Sequence, residues 1–305
     1  MHRTRVAVLR GGPSSEYEVS LKTGTYVLNN LSHDKYHARD VLIDRRGIWH
    51  MNGVATLPHD VLTHVDVVFN ALHGHFGEDG KVQHILESHG IPFTGSTSFA
   101  SAVGMNKEMS KKIYRDHKLK TPLSKVIKKD KDLNKIHEQI FQSFSLPIII
   151  KPLMGGSSIG LHLVKDWNSL SKVLETMFDK DNDLLVEEFI KGKEASCGVI
   201  DDFRTHRHYA LPAIETLTHL VPGNFSDHEK KELERLSIEA HKILGLRHYS
   251  NSDFIIHPVR GIFILETNTL PSLTEESLIP KSLHAVGSSM SHFLDHIIQL
   301  ALSRK

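Results

Sequence analysis

The chain has 305 residues, 39% of them hydrophobic and 24% charged, which is enough for two or three packed units of an ordinary soluble globular protein. Its 37 Lys and Arg stand against 36 Asp and Glu, so it lacks the basic excess of a protein built to coat nucleic acid or an anionic membrane. A single cysteine, Cys197, excludes an intramolecular disulfide and a CxxC motif. The N-terminus has no apolar leader core and no stretch reaches membrane-span length, so the expectation is a cytoplasmic protein. The 23 His form no HExxH, no tract and no pairing with cysteine.

The first third alternates strands with helices. RVAVL (residues 5–9) predicts a strand, and GGPSSEYEVS turns into a helix with Ser15 and Glu18 at capping-box spacing. VDVVFNAL (residues 65–72) is apolar almost throughout, as expected of a strand covered on both faces in a parallel sheet. KVQHILESHG predicts a helix closed by Gly90, and IPFTG begins a further strand. Residues 1–97 therefore read as one small α/β domain.

The middle changes character. NKEMSKKIYRDH (residues 106–117) predicts a helix, followed by Pro122 and the strand LSKVI. A helix over 130–143 leads into LPIIIKP, the loop LMGGSSIG and LHLV. Another helix near 166–178 precedes LLVEEF. Two strands flanking a Gly/Ser loop with no helix between them imply antiparallel α+β organisation over 98–190. Residues 191–305 begin with the strands EASCGVI and HYALPAI. A helix follows over 226–244, in which Ser226 and Glu229 make a second capping box. Strands over 249–257 and 262–267 and a terminal helix over 286–302 complete the chain.

The last two strands form the hairpin YSNSDFIIHPVRGIFILETN. Centring its turn between Val259 and Arg260 sets Asp253 opposite Glu266 and Asn251 opposite Asn268, all on one face. Opposed carboxylates repel; a divalent cation removes the repulsion, and Mg²⁺ takes oxygen ligands of this kind beside substrate phosphates. The pattern equally fits a solvated polar edge or an acid pair sharing one proton, and a one-residue slip would separate the groups.

Lys151 closes the apolar run PIIIK. By itself it fits a snorkelling surface lysine as well as a phosphate ligand. In the GGSSIG loop, Gly155 and Gly156 let the backbone approach closely, and N–H groups there can cradle phosphate oxygens. No GK[ST] follows, so this is not a Walker A loop, and a plain flexible hairpin is the other reading. LLVEEFIKGKE supplies Glu187, Glu188 and Ile190, with Glu194 further on; as residues alone these acids suit an ordinary surface.

In order, Lys107, Lys151, the Gly/Ser loop, Glu187, Glu194, Asp253, Glu266 and Asn268 resemble an ATP-grasp enzyme. The resemblance implies an α/β N-terminal domain with a parallel sheet, followed by an α+β ATP-grasp fold of two subdomains, 98–190 and 191–305. It implies that Lys107, Lys151, Gly155 and Gly156 hold the triphosphate. Glu187, Glu188 and Ile190 would line the adenine end, and Glu194 would meet the ribose. Asp253, Glu266 and Asn268 would bind Mg²⁺, for which Mn²⁺ can substitute.

Five stretches narrow the family: VLRGGPSSEYEVSLKTG, ALHGHFGEDG, PFTGSTSFASAVGMNK, IIIKPLMGGSSIG and LETNTLPSLT. Together they resemble D-alanine–D-alanine ligases from Val6 to the terminal helix. The implied reaction is ATP-dependent joining of two D-alanines through an acyl phosphate, for a peptidoglycan precursor. The implied partners are D-alanine and ATP, with a homodimer and neither nucleic acid nor membrane. Glu16 would bind the first substrate's ammonium, His73 would lie near the same pocket, and Ser157 would ride on the closing loop. Ser277 and Leu278 would meet the second substrate's carboxylate. Plainer roles exist for each: a helix-dipole acid for Glu16, a turn for His73, a hairpin for Ser157, and a helix start for Ser277 and Leu278.

Three departures bear on the acceptor side. Asn251 stands where the family usually has an arginine that stabilises the oxyanion. Ser272 stands where it usually has a glycine. The long loop carrying a Lys-Tyr pair is reduced to ALPAIETLTHLVPGNFSD (residues 210–227). Loss of one oxyanion donor costs about 10²- to 10³-fold in rate. A ligase with another acceptor (D-lactate, D-serine or other) and a nucleotide-binding relative without ligase activity are therefore the alternatives.

Overall fold

The computed structural model describes residues 3–130, 132–156, 160–181, 183–218 and 220–303. Strand β1 (Thr4–Gly11) buries Val6, Ala7, Val8 and Leu9 completely, as a strand covered on both faces must. Helix α1 (Tyr17–Asn30) leads to β2 (Tyr36–Ile43), parallel to β1. The short strands β3 (Trp49–Met51) and β4 (Val54–Ala55) continue that edge antiparallel. After α2 (Pro58–Leu62), β5 (Val67–Asn70) pairs parallel with the other side of β1, giving the order β4-β3-β2-β1-β5.

Two local expectations fail here. Ser15 and Glu18 form no capping box. The helix starts at Tyr17, so the capping positions fall on Glu16 and Val19; Ser14 Oγ accepts the Glu16 N–H at 3.1 Å, and Glu18 pairs outward with Arg45. After α3 (Lys81–Ser88), IPFTG makes a single parallel bridge, Phe93 to Val68, and not a strand. Pro92 has no N–H to offer a ladder, and Gly95 turns the chain at φ +95°.

Helix α4 (Ser98–Met105) was not expected. Thr97 caps it, and Asn106 caps α5 (Lys107–Asp116), where its Oδ1 accepts from Glu108 N and Met109 N, both at 3.1 Å. Then come β6 (Ser124–Lys128), α6 (Leu133–Ser143), β7 (Ile148–Pro152), β8 (His162–Val164), α7 (Trp167–Phe178) and β9 (Asp183–Glu188). The strands form an antiparallel sheet of order β6-β9-β7-β8. One face packs Ile148, Ile150, Leu184 and Val186 against Ile140 of α6 and Leu174 of α7.

The third sheet contains β10 (Lys193–Phe203), β11 (His206–Ala210), β12 (Ile214–Glu215), β13 (Tyr249–His257) and β14 (Gly261–Asn268). Its order is β11-β10-β13-β14, with β12 beside β10. Helix α8 (Asp227–Ile243) covers it and starts with the expected box: Ser226 Oγ accepts from Glu229 N, and Glu229 Oε2 from Ser226 N. HYALPAI thus splits into two strands.

The terminal helix expected over 286–302 is α10 (Met290–Ser303); a further helix that was not expected, α9 (Leu278–Ala285), precedes it and is closed by Gly287 at φ +69°. Helix α10 packs back on α1 and β5. Phe293, Ile297 and Ile298 share a core with Val6, Val8 and Phe69, which joins the two ends of the chain. No helix among the described residues is long and apolar enough to cross a membrane.

Candidate active site

The β7-β9 sheet and the β10-β14 sheet enclose a cleft of about 390 Å³. Its floor comes from the terminal hairpin. Asp253 pairs with Glu266 and Asn251 with Asn268, the register deduced from alternation. Nearer the turn the sequence reading is off by one. His257 faces Gly261 across a three-residue turn, and Phe254 faces Ile264, so Leu265 is an extra residue. This bulge restores the register at the acids.

Burial, together with Glu266 opposite, pushes the Asp253 carboxyl up to about 7. Asp253 Oδ1 accepts from Ser196 Oγ at 2.6 Å and Asn251 Nδ2 at 3.2 Å. Asn268 Oδ1 accepts from Leu270 N at 2.9 Å, which fixes its amide. Lys107 Nζ lies 3.9 Å from Glu266 Oε2, the one lysine contact to the pair among the described residues. Two facing carboxylates and an oriented amide oxygen make a hard, all-oxygen donor set that fits Mg²⁺.

The cleft wall carries the lysines. Lys107 and Lys151 are both buried, and the Lys107 ammonium donates to the Gly155 carbonyl. Burial lowers the Lys107 pKa, against the opposing pull of Glu266. Lys151 Nζ lies 2.9 Å from Glu187 Oε2, while Lys111 Nζ lies 2.8 Å from Glu187 Oε1 and 2.7 Å from Thr121 Oγ1. Although burial opposes its charge, Lys111 and Lys151 hold the Glu187 carboxyl below its usual range. Burial in turn lowers Lys111 to about 8 despite Glu187.

Glu187, Glu188 and Ile190, expected at the adenine end, are not among the residues lining this cleft. Glu187 is sequestered between the two lysines. Glu188 points to Arg260, at 2.8 Å, and to Leu123 N, at 2.9 Å, because alternation turns it to the opposite face of β9. Ile190 is buried beyond the strand end. Glu194, Gly155 and Gly156 do line the cleft. Ser157 lies outside the described residues.

At the other end, the cleft meets the N-terminal domain through a chain of polar contacts. Glu78 Oε1 takes the Gly74 N–H at 2.9 Å and lies 3.3 Å from His73 Nδ1. His73 Nε2 meets Thr23 Oγ1 at 2.9 Å. Thr23 Oγ1 lies 3.3 Å from Ser272 Oγ, to which Ser277 Oγ donates at 3.0 Å. Burial raises the Glu78 carboxyl. Glu16 is buried beside this chain. A Cβ on Gly74, at φ +67°, would sit 2.5 Å from Ser14 Oγ and 2.9 Å from Glu16 Oε1, and one on Gly156 would sit 3.9 Å from that oxygen. Asn251, Ser272, Ser277 and Leu278 line the cleft. The Asn251 amide nitrogen, however, is turned to Ser196 Oγ, 2.6 Å, and Asp253, so its donors serve the metal-side acid.

Sequence reasoning missed Lys111, Thr23, Glu78 and Ser196. Lys111 lies four residues after Lys107, one helical turn along the same face, and that spacing was the available signal for it. Glu78 sits within HGHFGEDG. Nothing local marks Thr23 or Ser196.

The D-ala D-ala ligase N-terminus family model matches residues 5–60 and 54–96, and the D-ala D-ala ligase C-terminus model matches residues 113–299. A D-alanine–D-alanine ligase of Geobacter sulfurreducens is 36% identical over 318 residues, covering 97% of this chain and 93% of its own. The structure of a D-alanine–D-alanine ligase from Bacillus anthracis complexed with ATP superposes with a TM-score of 0.80 at 30% identity, covering 98% of this chain and 97% of that one. The VanG D-Ala:D-Ser ligase from Enterococcus faecalis superposes with a TM-score of 0.85 at 26% identity, covering 98% and 100%.

Proposed function

The chain belongs to the D-alanine–D-alanine ligase family, and from that membership we propose that it joins two D-alanines for peptidoglycan synthesis, converting ATP to ADP and phosphate. The observation that carries the reading is the opposition of Asp253 and Glu266 in a cleft walled by two buried lysines.

The reaction has two displacements. A carboxylate oxygen of the first D-alanine attacks the γ-phosphorus and ADP leaves. The amine of the second, having lost a proton, attacks the carbonyl carbon of the acyl phosphate, and phosphate leaves with the former carboxylate oxygen. Such chemistry is mainly positioning and charge neutralisation. Lys107 and Lys151 neutralise the phosphates. As Lys151 turns to the nucleotide, Lys111 remains on Glu187 and keeps that buried carboxylate paired. Glu194 meets the ribose, and residues 187–190 meet the base through their backbone, since the side chains are engaged elsewhere. Asp253, Glu266 and Asn268 would hold Mg²⁺ or Mn²⁺, which supplies further charge neutralisation at the phosphates when bound. Glu16 takes the first ammonium with His73 behind it, and Ser157 rides on the closing loop. Ser272, Ser277 and Leu278 meet the second substrate. Use of ATP supports a cytoplasmic location, and a homodimer is the assembly we expect.

Oxygen labelling tests the order of bond making. D-alanine labelled with ¹⁸O in its carboxylate should deliver one label to phosphate per turnover; unlabelled phosphate would refute the acyl phosphate. The short stretch 210–227 in place of the family's long loop supports a second reading, in which the acceptor is D-serine or D-lactate.

A further inference from the structure

Two of the histidines that form no motif in the sequence are brought by the fold to one point away from the cleft. Asp201 on β10 pairs directly with His208 on β11, and His241 of α8 reaches the same carboxylate. We propose that Asp201, His208 and His241 bind a divalent transition-metal ion of the zinc class, which ties the β10-β11 hairpin to α8.

The distances suit an ion. Asp201 Oδ1 lies 2.9 Å from His208 Nδ1 and 3.1 Å from His241 Nε2, and the three ligand atoms all fall within 4.8 Å of one another. Zinc bonds of about 2.0–2.2 Å in a tetrahedral arrangement separate ligand atoms by roughly 3.3 Å. His241 Nε2 is fully buried, and its contact with Asp201 is off the line that a hydrogen bond needs. A polar nitrogen left so in a dry site is costly, and an ion sharing its lone pair removes that cost.

The surroundings orient the ligands as metal sites require. His241 Nδ1 bonds Ser250 Oγ at 2.7 Å, which turns Nε2 toward the carboxylate. Asp201 Oδ2 accepts the His248 N–H at 2.7 Å, which leaves Oδ1 directed at the imidazoles. The His208 side chain is 22% exposed, giving an entry path and room for water as a fourth ligand. Two imidazoles and one carboxylate favour zinc-like ions, whereas the all-oxygen set in the cleft favours Mg²⁺. Asp201 also lies five residues beyond Ser196 on β10, roughly 17 Å at strand rise, so the two sites are separate.

The test uses the full chain stripped with chelator, titrated with Zn²⁺, and with Co²⁺ as a visible probe, in excess Mg²⁺. One equivalent should bind, Co²⁺ should show tetrahedral-type absorption, and Zn²⁺ should raise the melting temperature. His208→Ala and the milder His208→Gln should each weaken Zn²⁺ binding at least 100-fold and abolish the absorption, with unchanged circular dichroism. Ser250→Ala should weaken it by about 10- to 100-fold. Absence of stoichiometric binding overturns the proposal. So does binding that survives both His208 variants, or that Glu266→Gln removes, since the ion would then sit in the cleft.

Discussion

Asp253 stands directly opposite Glu266 on the β13-β14 ladder, so one face of a single hairpin presents two carboxylates to the same cleft. Opposed like charges destabilise a sheet by about 0.2–1 kcal/mol. Glu266→Gln should therefore leave the chelator-treated protein as stable as the parent or up to about 1 kcal/mol more stable. The same change should lower ATP turnover at fixed Mg²⁺ at least tenfold. Thermal denaturation in chelator and a coupled ADP assay read the two effects; lower stability together with full turnover would contradict the metal-holding role.

Lys151 and Lys111 occupy the two oxygens of Glu187, and this makes the two lysines separable. Lys151→Ala leaves Glu187 paired with Lys111, so the fold should persist while ATP affinity by calorimetry falls tenfold or more. Lys111→Met leaves Glu187 paired with Lys151 but strips its fully buried Oε1 of a charged donor, a loss of about 1.5–3 kcal/mol. Urea denaturation should show that loss for Lys111→Met and a much smaller one for Lys151→Ala. Equal losses, or unchanged ATP binding in Lys151→Ala, would count against the assignment.

Asn251 gives its amide hydrogens to Ser196 and Asp253 and so supplies no charge at the reacting carbonyl. Asn251→Arg should raise dipeptide formed per ATP consumed, because a charged donor stabilises an oxyanion better than an amide does. A neutral or harmful effect would mean that another group serves the oxyanion.

Asp295 anchors α10 to the N-terminal sheet by accepting from Tyr36 Oη at 2.5 Å and pairing with Lys35 at 2.8 Å. Burial opposes its charge, but Lys35 and Tyr36 hold its carboxyl below the usual 3.8. A depressed carboxyl stabilises the fold fully above its unfolded pKa, and that stability is lost as pH falls through the folded one. Asp295→Asn should cost about 0.5–1.5 kcal/mol at pH 7, and the gap should begin to narrow below pH of about 4 and close only once pH has fallen through the folded pKa. A gap that persists in acid would show that the contact acts through packing.

The legible parts of this molecule were those set by local periodicity. The Asp253–Glu266 register followed from strand alternation, and the Ser226–Glu229 box from capping chemistry. Leu265's bulge did not, because an extra residue in a ladder is decided by what the two strands pack against. Glu187 showed itself as an acid after a strand, but its partners come from β7 and α5. Helix α4 escaped notice because SFASAVGM is short and small-residued, with only Thr97 to mark its start. The Asp201 cluster draws on three elements separated by up to 40 positions, a distance at which spacing carries no signal.

The most direct test of ligase function is the ratio of product to phosphate. Purified protein with ATP, Mg²⁺ and D-alanine should release one phosphate for each D-alanyl-D-alanine seen by mass spectrometry. D-serine or D-lactate offered beside D-alanine shows whether the acceptor side discriminates. Phosphate release that ignores D-alanine, or the absence of any ligated product with all three acceptors, would contradict the account.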